Sequence, residues 1–186
     1  MAKVKLSSAL IRARGKMGNV VFRKYHDEVI MAHVPDMSGH TPTEKQASHR
    51  QRFKLAVLYG HMVLADPAKK AVYEATAKAK GLSVFAVTVA DFLNAPVVDQ
   101  IDVSAYNGKA GDTLRITASD DFEVAGVEVA IHDTNGAVLE HGAATTVDGV
   151  WNYVTTTDLP AGRLVSIEVT ATDRPGHKTT KTQIRE

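Results

Sequence analysis

The sequence predicts an α+β module, a β-hairpin followed by helices, joined to an all-β sandwich, and three observations carry that prediction. Hydrophobic spacing changes near Asn94-Ala95-Pro96 from three- and four-residue steps to short alternating runs. The charge changes sign at the same place: residues 1–95 hold 15 Lys+Arg against 7 Asp+Glu, a net of +8, and residues 96–186 hold 7 against 14, a net of −7. Helix-capping residues punctuate the first part and closely spaced turn residues the second. The expected domains are therefore a basic module over 1–95 and an acidic one over 96–186.

Each element has a local reason. Residues 19–25 and 28–34 alternate and are rich in Val, Ile, Phe and Tyr, with His26-Asp27 between them, which is a hairpin pattern. Residues 3–11 can add a third strand, and Gly15 and Gly18 bracket the turn that feeds the hairpin. These glycines lead into a strand, whereas a phosphate-binding P-loop closes in Gly-Lys-Ser/Thr and opens a helix, so a nucleotide loop is not expected here. Thr41-Pro42-Thr43-Glu44 reads as a capped helix start, with Thr41 as cap and Glu44 as its capping-box partner. The helix runs to about Ala65 with Phe53, Ala56, Val57, Gly60, Val63 and Leu64 on its buried face. Asp66-Pro67 starts a second helix, with Ala71, Val72, Ala75 and Ala79 inward, that stops at Gly81. Ser83 caps a short third helix with Phe85, Val89, Phe92 and Leu93 on one side.

Beyond Pro96 seven strands are expected, near 97–103, 112–119, 125–132, 137–142, 149–156, 163–172 and 178–184. Asn135-Gly136 predicts a two-residue hairpin turn with both residues at positive φ. Seven short strands in this length suit an immunoglobulin-like sandwich, with Trp151 beside Tyr153 as its core aromatic.

The runs Asp148-Gly149-Val150-Trp151-Asn152-Tyr153, Leu159-Pro160-Ala161-Gly162 and Val169-Thr170-Ala171-Thr172-Asp173-Arg174-Pro175-Gly176-His177 follow one another in this half. Together they resemble the closing half of bacterial Ig-like repeats, which run D-G-x-W-x-Y, then L-x-x-G, then V-T-A-T-D-x-x-G-N. The resemblance covers residues 97–184 and implies a fold used as stalk, spacer or adhesive module in surface and virion proteins. Here there is one copy rather than a tandem array, and His177 stands where Asn is usual. In the first half, G-K-M-G-N-x-V-x-R-K-Y, A-D-P and A-x-Y-E resemble uncharacterised bacterial proteins of unknown function.

Composition narrows the chemistry. With 186 residues, 20.0 kDa and 44% hydrophobic content the chain can form two small domains. No cysteine is present, which excludes disulfides, thiolate chemistry and Cys-based zinc sites. No apolar run reaches eighteen residues and the start MAKVKLSSALIRARGK lacks a signal-peptide core, so the expectation is cytoplasmic synthesis without membrane insertion, followed by surface or virion placement on export or assembly. The eight histidines form no H-x-x-x-H pair and no HExxH. Neither a nucleophile elbow nor a triad-bearing context appears, and no catalytic residue or cofactor is expected.

Two sets of residues remain. Asp120 and Asp121, with Asp102 or Asp173, can meet at one pole of the sandwich as oxygen ligands for Ca²⁺. Lys3, Lys5, Arg12, Arg14, Lys16, Arg23, Lys24, Arg50 and Arg52 form a basic set suited either to an acidic protein surface or to phosphates. The function expected is a non-enzymatic structural subunit whose basic half docks on the acidic half of the next copy, propagating head to tail as a filament or closing as a ring. The alternatives are a nucleic-acid-binding protein acting through the basic set, and a surface module that binds glycan or protein.

Overall fold

The computed structural model describes residues 14–185 apart from 27, 37, 40, 161 and 162. The expected strand at 3–11 lies outside them. Two compact units divide at Lys45/Gln46, which places the helices with the strands that follow Pro96, whereas the change in charge and hydrophobic spacing falls fifty residues later at Ala95/Pro96.

Among its described residues the first unit forms a three-stranded antiparallel sheet of β1 (Gly15–Met17), β2 (Val20–Tyr25) and β3 (Glu28–His33), in that order. Gly15 belongs to a strand rather than a turn. Gly18, at φ 58°, turns β1 into β2, and His26, at φ 52°, turns β2 toward β3.

In the second unit, α1 (Glu44–Ala65), α2 (Pro67–Lys80) and α3 (Val84–Leu93) precede eight strands. Helix α1 begins at Glu44, so Thr41 and Pro42 lie outside it and Glu44 is its first residue rather than a capping-box partner. The other caps form as expected. Asp66 accepts hydrogen bonds from the Ala68 and Lys69 amides, Pro67 opens α2, Gly81 closes it at φ 64°, and the Ser83 hydroxyl accepts from the Ala86 amide.

The buried helix faces match the expected ones in part: Ala56, Gly60 and Val63 of α1 are inward as expected, and the α2 face is a different one. Helix α1 buries Ala56, Gly60 and Val63, while Phe53 is 48% exposed. In α2 the buried residues are Tyr73 and Ala77, and Ala71, Val72, Ala75 and Ala79 face solvent, where alanine supports the helix by propensity rather than by packing. Helix α3 buries Val87, Thr88 and Asp91. Gly60 lets α3 come close, because a Cβ there would stand 2.9 Å from the Phe85 ring.

The strands form two four-stranded antiparallel sheets that face each other. One runs β11 (Lys178–Arg185), β10 (Val165–Asp173), β6 (Val124–His132), β7 (Val138–Ala143); the other runs β4 (Val97–Asp102), β5 (Thr113–Ser119), β9 (Val150–Val154), β8 (Thr145–Val147). Both sheets feed one core, including Leu114, Ile116, Val129, Ile131, Tyr153, Ile167 and Val169. Trp151 is half-buried against that core, and Tyr153 is the enclosed aromatic.

Strand β8 is additional to the seven expected. It pairs with β9 through Asp148 and Gly149, both at positive φ (51° and 80°). Conversely, Asn135-Gly136 is not the expected two-residue turn. Only Gly136 has positive φ, and the Asp133 carboxylate organises a longer loop by accepting from the Asn135 and Ala137 amides.

Gly142 permits a close approach inside the sandwich. A Cβ there would lie 2.9 Å from Tyr153 Cε2 and 3.1 Å from its hydroxyl, and the Tyr153 hydroxyl is held by Glu140 at 2.8 Å. The ring therefore cannot swing aside without losing a buried hydrogen bond. Gly142→Ala is expected to cost about 1–3 kcal/mol by overpacking, read as a lower urea midpoint with an unchanged m-value.

Candidate functional site

The described part of the basic set is divided between the two units. Arg14, Lys16, Arg23 and Lys24 are exposed in the first unit, and Lys3, Lys5 and Arg12 lie outside the described residues. Lys16 stands opposite Val21, so strand alternation puts Lys16 and Arg23 on one face of the sheet and Lys24 on the other. In the second unit Arg50 and Arg52 are exposed on α1, and the Arg52 guanidinium donates to the Leu93 carbonyl at 2.9 Å, tying α1 to the end of α3.

The acidic set is split as well. Asp102 ends β4 opposite Arg115, whereas Asp120 follows Ser119, which pairs with Val97 at the other end of the same two strands. Asp102 and Asp120 therefore stand at opposite poles, and the Asp102 carboxyl is held below the usual carboxylate range by the Ser104 side chain and then by the Ser104 amide, which donates to it at 2.9 Å. Among the described residues no group of three His, Asp or Glu is arranged to hold a metal ion.

Asp120, Asp121 and Asp173 do gather, and what they gather around is the helices. The loop 120–123 after β5 meets α2 and α3: Phe122 stacks on Tyr73 with ring centroids 4.2 Å apart, the Asp121 carbonyl accepts Lys80 Nζ at 2.8 Å, and the Asp121 carboxylate accepts the Asn94 side-chain amide. Asp120 Oδ2 accepts the Phe122 and Glu123 amides, each at 3.1 Å. The β10–β11 turn closes the other side. Asp173 Oδ1 accepts the Gly176 and His177 amides at 2.7 and 2.6 Å, its Oδ2 lies 2.8 Å from His177 Nδ1, and the His177 ring packs edge-on against Phe92 of α3. Arg174 reaches Glu123 at 2.6 Å and fastens turn to loop.

At the centre lies Asp91, wholly buried. Its Oδ2 accepts the Tyr73 hydroxyl proton at 2.6 Å, and the Tyr59 and Tyr73 hydroxyl oxygens are 2.8 Å apart. Tyr73 has spent its only proton on Asp91, so Tyr59 is the donor to Tyr73. Burial, opposed by the Tyr73 bond but reinforced by Asp120 and Asp173, pushes the Asp91 carboxyl up to about 6. The Tyr73 hydroxyl is raised by burial and then by its bond to Asp91. The arrangement joins three helices to one pole of the sandwich through a chain of buried hydrogen bonds.

The sequence reading missed Tyr59, Tyr73 and Asp91. The available signal was one acid in the otherwise apolar run VFAVTVADFL, since a carboxylate among such residues needs a buried partner.

Another buried carboxylate, away from the helices, has a structural task. Glu140 of β7 accepts from the Tyr153 hydroxyl (2.8 Å), the Thr156 amide and hydroxyl (2.6 and 3.0 Å) and the Thr157 amide (3.2 Å), linking an edge of one sheet to the segment leaving β9 in the other.

No family model and no curated protein matches the chain. Among solved structures, the chain is similar to CopC from Methylosinus trichosporium at 16% identity and TM-score 0.36, covering 48% of this chain and 89% of that one. An engineered protein is similar at 21% identity and TM-score 0.36, over 48% of this chain and 19% of its own. A conjugative transposon lipoprotein from Bacteroides eggerthii is similar at 10% identity and TM-score 0.27, over 48% of this chain and 92% of its own.

Proposed function

We propose that this chain is a non-enzymatic structural subunit that self-assembles head to tail and displays an Ig-like sandwich, as surface and virion proteins do. The observation that carries the reading is where apolar side chains are left uncovered. Among the described residues of 14–45 none is fully buried, and Met17 is 70% and Met31 39% exposed. A small sheet draws independent stability from covering a hydrophobic face. Helix α1 adds Leu55, Leu58 and Met62, 49%, 57% and 57% exposed, at three- and four-residue steps on the side opposite Ala56, Gly60 and Val63. Uncovered apolar stripes on helix and sheet are what a subunit keeps for its neighbour.

Charge supports a heterologous contact. A half carrying +8 and a half carrying −7 attract between copies, and such a contact repeats until it closes or extends. The Ig-like assignment rests on two four-stranded antiparallel sheets together with the D-G-x-W-x-Y and V-T-A-T-D runs. Strands β4, β8, β7 and β11 lie at the sheet edges, where strand addition between copies is geometrically open.

Light scattering of the full chain over a wide concentration range, at low and high salt and with electron micrographs of the same samples, tests this. Ordered polymers or rings are expected, weakened by salt. Leu58→Asp combined with Met62→Asp is expected to raise the concentration needed for assembly by at least about tenfold, the effect of ~1.4 kcal/mol at the contact, while leaving the melting temperature nearly unchanged because both side chains are exposed. A 20 kDa monomer under every condition rejects the proposal. A monomer that binds DNA with steep salt dependence supports the nucleic-acid reading instead.

A further inference from the structure

The joint between helices and sandwich contains two oxygens without a donor. Every proton available to Asp91 from the helices is accounted for: Tyr59 donates to Tyr73, Tyr73 to Asp91 Oδ2, and Asp91 Oδ1 is buried with no hydrogen-bond partner. On the sandwich side Asp120 Oδ2 takes two backbone amides, and Asp120 Oδ1 is likewise buried without a partner. Phe122, whose amide donates to Asp120, stacks on Tyr73, which donates to Asp91, so the two carboxyls face the same joint, and Asp120 adds to burial in raising the Asp91 carboxyl. Asp173, the third acid facing them, has both oxygens engaged by Gly176 and His177. Arg174 lies at the rim on Glu123, and Lys80 and Asn94 are taken by Asp121.

A buried carboxylate oxygen without a donor is costly, and two of them on adjacent carboxyls would also repel. One proton removes both penalties. We propose that Asp91 and Asp120 share a single proton, and that this carboxyl–carboxylate hydrogen bond is a pH-sensitive latch holding α2 and α3 to the 120–123 loop in mild acid and loosening it toward neutral pH and above.

The sign follows from the proton balance. A carboxyl raised from 3.8 to about 6 binds more proton in the folded than in the unfolded state between those values. Its contribution to stability is therefore fully present below about 4 and is lost as pH rises through about 6. Loss of the shared proton leaves Asp91, Asp120 and Asp173 facing one another in the joint, with Phe122 on Tyr73, Lys80 and Asn94 still bridging it.

The experiment compares thermal unfolding of the full chain and its Asp91→Asn variant from pH 5.0 to 7.5. Asparagine keeps an acceptor for Tyr73 and supplies a permanent N–H toward Asp120. The wild-type melting temperature is expected to fall across that range by about 4 °C or more relative to the variant, and the variant is expected to be the more stable at pH 7.5. Hydrogen exchange gives the local readout. The Phe122 and Glu123 amides are expected to lose protection with rising pH in the wild type, relative to amides of β10, and to keep it in the variant. Asp120→Asn, with the donor reversed, gives the same flattening and serves if Asp91→Asn does not fold. Parallel curves for wild type and both variants overturn the latch. So does a rise in wild-type melting temperature with added Ca²⁺ that both variants lack, which assigns the oxygens to a cation rather than a proton.

Discussion

Glu140→Ala is expected to remove about 3 kcal/mol of stability, because the change strands donors as well as deleting an acceptor. The Glu140 carboxylate receives the Tyr153 hydroxyl, the Thr156 amide and hydroxyl and the Thr157 amide, and Glu140 itself is only 8% exposed. Without it those groups face a void. The Tyr153 ring, packed against Gly142, then has nothing to fix its hydroxyl end. Glu140→Gln keeps the shape but turns a donor toward donors, and a smaller loss of about 1–2 kcal/mol is expected.

The pH dependence runs opposite to that of the helix joint. Burial pushes the Glu140 carboxyl up, but its hydrogen bonds outweigh burial and hold it below its usual value. Its contribution is thus present above the unfolded value of 4.5 and lost as pH falls through the folded one. Urea melts at pH 7 and pH 3 are expected to show the gap between wild type and Glu140→Ala shrinking in acid. A gap that stays constant would mean that Glu140 acts by packing rather than by charge. With Asp91 favouring acid and Glu140 favouring neutrality, the stability of the whole unit is expected to be greatest at mildly acidic pH.

What could be read from the chain and what could not divide along a physical line. Local chemistry was legible: Asp66-Pro67 to Gly81 delimits α2 to the residue, and the β10 run V-S-I-E-V-T-A-T-D alternates inward and outward along its whole length. Strand β8 was also within reach, because Asp148-Gly149 flanked by alternating residues is as strong a hairpin signal as Asn135-Gly136. Asn135-Gly136 misled because Asp133, two residues earlier, captures the turn with its own side chain, which a dipeptide rule does not weigh.

Tertiary choices were not legible. Helix α2 offers an alanine face and a Tyr73–Ala77 face, and the second is buried because Tyr73 finds Asp91 eighteen residues away and Phe122 beyond that. Asp102, Asp120 and Asp173 look equivalent as acids near strand ends. Strand direction decides which pole each occupies, and only the paired register reveals it. The same logic explains His177, the departure from the Ig-like pattern, whose ring both faces Asp173 and abuts Phe92, so a position that closes a turn also docks a helix.

Ile167→Ala is expected to be the most damaging single change in the sandwich, about 2–5 kcal/mol. Ile167 is 0% exposed in β10, an inner strand paired on both sides, opposite Ile131 of β6 and Gln183 of β11. Neighbouring positions Val165 and Val169 are as tightly enclosed, so little can collapse into the void. Ile184, on the edge strand β11 and 62% exposed, provides the contrast, and Ile184→Ala is expected to stay within about 0.5 kcal/mol. Urea denaturation of the two variants checks the ranking, and equal losses would place the core elsewhere. Because β10 ends at Asp173, a void beneath Ile167 also loosens the strand that positions the turn against α3. Ile167→Ala is therefore expected to speed hydrogen exchange at the Gly176 and His177 amides, some ten residues away, before it unfolds the sheet.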